Sequence, residues 1–146
     1  MTSLRPARGA GWLGRVAAIV LALAASVACV DRLPAEDRRI TLAAPVAKLS
    51  AADLWQDYQT DAAAANRRYW GEAVEVSGKV TAIESGSPPA VVFGQTESFG
   101  VRAVLLGDQA ADIVKAAKVN ERLTLRCFVE GKTLEGHVQI RSCIRP

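Results

Sequence analysis

From Val74 to Ala82 the chain reads V-E-V-S-G-K-V-T-A, with an apolar residue or glycine at every second position. A period of two makes a half-buried strand, with Val74, Val76, Gly78, Val80 and Ala82 on one face and Glu75, Ser77, Lys79 and Thr81 on the other. Glycine in the middle weakens a straight strand, so Gly78 asks for a sharp bend or the close approach of another backbone. A strand that coils around a small closed barrel has such a bend.

The flanking elements agree with a barrel. Ser50 with Asp53 three residues on is a capping-box pattern, and it opens a helix predicted over residues 50–69. Leu54, Tyr58, Ala62, Ala65 and Tyr69 form its apolar stripe, which lies against the outside of the barrel or across one end. Arg67 and Arg68 suit the negative end of the helix dipole, and Gly71 supplies a stop. After the glycine strand, Glu84–Pro89 reads as a turn, and "AVVFG" and "FGVRAVLL" read as two more strands. Residues 107–118 read as a short helix, and "NERLTLRCFVEG" and "GHVQIRSCIR" as the last two strands. Three strands, a helix and two strands is the order of the OB-fold, a five-stranded Greek-key barrel. The predicted class is therefore mainly β with α, a domain over residues 49–146 whose barrel spans 73–145. An ordinary α+β sheet with the same element order is the alternative.

The N-terminus is an address. Arg5, Arg8 and Arg15 precede the apolar run from Val16 to Ala28, and no acidic residue occurs before Asp31. Basic start, short apolar run and small residues at its end make residues 1–28 a signal peptide. The run is shorter than the roughly 20 residues of a membrane span, although an uncleaved anchor has the same composition. Cys29 follows "SVA", a boundary resembling a lipobox, which makes Cys29 the lipidation candidate; cleavage by ordinary signal peptidase after Ala28 fits the same residues. Ser26 stands where lipoboxes usually carry leucine. Val30 rather than an aspartate follows the cysteine, which favours the outer membrane over inner-membrane retention. Residues 29–48 mix charges with Pro34 and Pro45 and read as a tether, or as a loosely packed arm.

Residues 49–146 resemble the tRNA-anti-like family of bacterial OB-fold proteins. The resemblance rests on the leading "LSAADLWQDYQTDAAAANRRYWG", then "VEVSGKVTAI", then "LTLRCFVEGKTLEGHVQIRSC". Family members often carry a cysteine on each of the last two strands and often follow signal or lipoprotein leaders. The resemblance implies a fold and a compartment and assigns no activity.

Cys127 and Cys143 form the even pair left once Cys29 is set aside, and an exported protein permits their disulfide. Strand parity opposes it: Cys127 falls with Leu123, Leu125 and Val129 on the apolar face, Cys143 with His137, Gln139 and Arg141 on the other. A β-bulge or strand end near Ser142 is needed, or else the thiols stay unpaired.

The sequence gives no catalytic residue. His137 is the only histidine, no ligand-spaced cluster implies a metal, and neither a nucleophile elbow nor a phosphate loop occurs. No cofactor is implied. Removing the leader leaves 15 basic and 15 acidic residues, and residues 70–146 hold nine of each, so the field that draws single-stranded nucleic acid into an OB groove is absent. The face of the second and third barrel strands offers Phe93, Phe99 and Arg102 as ligand-binding candidates. The reading is a non-catalytic, exported module on the periplasmic face of the envelope, lipid-anchored or soluble, whose partner is an envelope protein, peptide or glycan. A single-stranded nucleic-acid-binding protein is the alternative, and Trp55 and Trp70 serve either a partner or the packing of helix on barrel.

Overall fold

The computed structural model describes residues 36–96 and 99–146, the side chains of residues 95, 96 and 99 excepted. The signal segment, Cys29 and the start of the expected tether lie outside the described residues. A 3₁₀ turn, Arg38–Thr41, leads into β1 (Ala47–Ser50), α1 (Ala51–Thr60), α2 (Ala62–Tyr69) and β2 (Ala73–Glu84). Then come β3 (Ala90–Thr96), β4 (Phe99–Leu105), α3 (Gly107–Ala116), β5 (Arg122–Lys132) and β6 (Val138–Ile144).

Strands pair in the order β2-β3-β4-β6-β5, and β5 returns to β2, closing a five-stranded barrel of OB topology. β2 closes it by serving both sides: residues 73–79 pair with β5, and Val80 to Glu84 pair with β3. Gly78 lies just before the changeover. A Cβ there would meet the Ala51 Cβ at 3.0 Å and the Phe93 ring at 3.1 Å. The change of pairing partner thus falls beside the glycine, and the close approach is that of the Ala51 and Phe93 side chains instead of a backbone. Beyond the bend a bulge between Val80 and Ala82 shifts the alternation. Ala82 turns out to solvent and Ile83 packs against the core in its place, a departure from strict parity.

The helix expected over 50–69 is two. Ser50 caps α1 as expected, its Oγ accepting from the Asp53 N–H at 3.0 Å. Asp61 then ends α1 and caps α2, its carboxylate accepting from the Ala64 N–H at 2.9 Å. An aspartate that offers its oxygen to a backbone N–H three residues on competes with the continuing helix. The break turns Ala62 outward, while Leu54, Tyr58, Ala65 and Tyr69 stay buried in one cluster with Val76, Phe93, Ile140 and the rest of the barrel interior. Burial raises the Tyr58 hydroxyl to about 12, and its O–H donates to Asn66 Oδ1 at 2.9 Å.

Two further differences concern the segment ahead of the helix. β1 is a sixth strand, parallel to β2 and outside the barrel, with Ala47 opposite Val74 and Ser50 opposite Ser77. Four residues are too short to show a period. In its described part the expected tether is an arm: Ile40 is fully buried against Ala73, Leu106, Phe128 and Ile144. Asp37 donates its N–H to Ser142 Oγ, Arg38 pairs with Asp108, and Glu36 accepts from the Gly107 N–H. The Arg39 guanidinium, hydrogen-bonded to the Asp37 carboxylate, holds that carboxyl down at about 2.

Cys127 and Cys143 are joined. Across β5 and β6, Arg126 faces Ile144 while Phe128 faces Arg141, so β6 has one residue more than β5 in this interval. Ser142, with φ +52°, takes up the extra step and turns Cys143 inward. The bulge that strand parity demanded is therefore present.

Candidate functional site

Alternation along β4 sends Val101, Ala103 and Leu105 into the barrel and leaves Arg102 outside. On β6, Val138 and Ile140 go in while Gln139 and Arg141 stay out. Because β4 and β6 run parallel with Arg102 opposite Gln139, two side chains 37 residues apart become neighbours. Around them runs a chain of paired groups. Arg102 donates Nε to Glu84 Oε2 at 2.8 Å, with its Nη2 2.7 Å from the same oxygen, reaching across β3. Its Nη1 lies 3.5 Å from Gln139 Oε1. Gln139 Nε2 donates to Glu130 Oε2 at 2.8 Å, and Arg141 Nε lies 3.1 Å from Glu130 Oε1. Two arginines and two glutamates thus share one face with no net charge.

Beside this face the β5–β6 hairpin forms a cleft of about 340 Å³, lined by Arg102, Thr133, Leu134, Glu135, His137 and Gln139. Thr133 and Gly136 set its tip: the Thr133 N–H donates to the His137 carbonyl, and Gly136 takes φ +97°, a conformation that favours glycine. The arrangement presents hydrogen-bond donors and acceptors of both kinds around an exposed leucine. A second recess of about 630 Å³ lies between the Ser85–Pro89 turn and α3, walled by Pro88, Pro89, Ala110, Ala111 and Val114. Its rim carboxylate, Glu36, is already engaged by the Gly107 N–H.

The three ligand-binding candidates separate. Phe93 is fully buried inside the barrel, so it is a core residue and not a platform. The parity that puts Val91 inward also puts Phe93 inward. The Phe99 side chain is outside the described residues. Arg102 is on the face, half-buried and tied to Glu84. Glu84, Glu130, Gln139, Arg141 and the hairpin residues were not foreseen as one group. Their outward parity was readable, but their adjacency comes only from the parallel β4–β6 pairing. His137 sits at the β5–β6 hairpin, partly buried, with Nδ1 3.7 Å from Glu135.

Comparison with known proteins follows the fold. The tRNA_anti-like family model matches residues 12–144. The chain belongs to that family. Among solved structures, it is similar to the crystal structure of a "putative nucleic acid-binding lipoprotein" from Klebsiella pneumoniae subsp. pneumoniae, with a TM-score of 0.52 and 18% identity over 74% of this chain and 95% of that one. At that identity the likeness concerns the fold. No functionally curated protein matches the chain. No helix among the described residues is long and apolar enough to cross a membrane.

Proposed function

We propose that this tRNA_anti-like protein is an exported, lipid-anchored, non-catalytic OB-fold module of the bacterial envelope, which binds a protein, peptide or glycan through the β4–β6 face and the β5–β6 hairpin. The observation that carries the binding reading is the charge-balanced chain Glu84–Arg102–Gln139–Glu130–Arg141. Phosphate backbones are held by cations free to replace condensed counterions, and both arginines here already hold carboxylates. Among the described outward residues of β3, β4 and β6 none is aromatic, whereas single-strand binders stack bases on aromatic side chains. The leader, Cys29 and the buried disulfide support export, and the Klebsiella relative is called a lipoprotein.

That relative is also called nucleic acid-binding, which gives the competing reading. Titration of the purified full chain with labelled single-stranded DNA and RNA at low and moderate salt separates the two. The proposal expects no saturable binding at either salt. Binding that weakens steeply with salt, and that is lost in Arg102→Gln with Arg141→Gln, establishes the nucleic-acid reading instead.

A further inference from the structure

Three exposed apolar residues lie on segments that meet the start of β2. Trp70 is 66% exposed, Val46 57% and Leu42 92%. Backbone contacts fix their positions. The Val46 N–H donates to the Ala73 carbonyl, Trp70 bridges to Val129 immediately before the turn into β2, and Leu42 follows Ile40, which packs on Ala73 and Phe128. Cations accompany them. Among the described residues neither Arg67 nor Arg68, one turn before Trp70, has a carboxylate partner; Arg68 lies 5.0 Å from the Tyr69 ring centre. Glu72 is the carboxylate in the same turn.

An exposed tryptophan that follows two arginines in sequence, with exposed aliphatic residues on the neighbouring segment, is the composition that settles at a membrane–water interface, where the indole is buried and its N–H remains wet. Unpaired arginines add attraction to anionic headgroups. Chain length brings that surface within reach. The arm is fixed to the barrel from Glu36 onward, so seven residue steps separate it from Cys29. Fully extended, they span at most about 25 Å.

We infer that the end of the domain carrying Leu42, Val46 and Trp70 seats on an anionic bilayer interface, so that the barrel is held against the membrane instead of swinging on a long tether. This inference rests on lipidation of Cys29, as proposed above. The test uses the full-length protein extracted from membranes and reconstituted into phosphatidylethanolamine–phosphatidylglycerol vesicles, with and without lipids brominated near the headgroup. Quenching of tryptophan emission by bromolipid is expected to fall about twofold or more in Trp70→Phe, and also in Leu42→Asp with Val46→Asp, while the melting temperature of the second variant is unchanged. Trp55, packed against the core, remains as the internal reference. Protein that floats with the vesicles but shows no Trp70-dependent quenching overturns the seating and leaves the anchor standing, and points to a protein partner for the patch. Protein that does not float overturns both.

Discussion

Replacing Gly78 with alanine tests whether α1 is clamped on the barrel as described. In an unencumbered strand the change stabilises by about 0.5–1 kcal/mol, because glycine loses more backbone freedom on folding. Here the new Cβ meets the Ala51 Cβ at 3.0 Å and the Phe93 ring at 3.1 and 3.2 Å. Neither neighbour has room to retreat. Ala51 is the first residue of α1 and its Cβ cannot rotate away, and the Phe93 ring is enclosed on all sides. Overpacking of this kind costs about 1–3 kcal/mol; set against the gain of about 0.5–1, the net loss is about 1 kcal/mol at the centre of these ranges and at most about 2.5. For a domain of this size that lowers the melting temperature by roughly 2–8 °C. Urea unfolding followed by circular dichroism reads the same loss as a lower midpoint at unchanged slope. Ala51→Gly removes one of the struck atoms. The double variant should therefore be more stable than additivity predicts, by about 0.5 kcal/mol or more. A Gly78→Ala protein as stable as the parent would refute the close approach and leave only the bend to explain the glycine.

Other outcomes follow from the same structure. Phe93→Ala should destabilise the domain by about 3–5 kcal/mol as an emptied core position, measured by urea titration; a stable variant would return Phe93 to the surface. Cys127→Ser with Cys143→Ser opens a cross-link between residues 16 apart in sequence and should cost about 3 kcal/mol in the chain-entropy model, with a wild-type stability under reducing conditions as the contrary result. Asp37 is held at about 2 by its hydrogen bonds to Arg39, against an ordinary 3.8. Its ionised form is bound more tightly in the folded state, so that contribution is complete above pH 4 and is lost as pH falls from about 4 through 2. An acid-unfolding curve should be shallower in Asp37→Asn than in the parent over that window, and identical slopes would contradict the latch.

Much of the fold was legible because the barrel strands keep their period: Val101, Ala103 and Leu105 face inward as alternation requires, as do Leu125, Cys127 and Val129. Even a local exception could be foreseen, since the opposite parities of Cys127 and Cys143 admitted a bridge only with a bulge near Ser142. Other features lacked a sequence signal. Ile40 anchors the arm, yet its neighbours Arg38 and Arg39 make the segment look solvated; their side chains reach Asp108 and Asp37, contacts no local pattern announces. Asp61 divides the helix through one hydrogen bond, ahead of a run of alanines that would otherwise continue it. Arg102 was found as a base on the second and third barrel strands, but its partners Glu84 and Gln139 belong to strands two removed or paired in parallel, so the site as a unit exists only after the barrel closes.

Intact mass of the protein recovered from the membrane fraction, alkylated with and without prior reduction, bears most directly on the claim of an anchored envelope module. The account predicts a chain beginning at Cys29 with a lipid adduct, which gains alkyl groups at two further thiols only after reduction. An unprocessed chain with three thiols alkylated before reduction would contradict export, anchor and disulfide together.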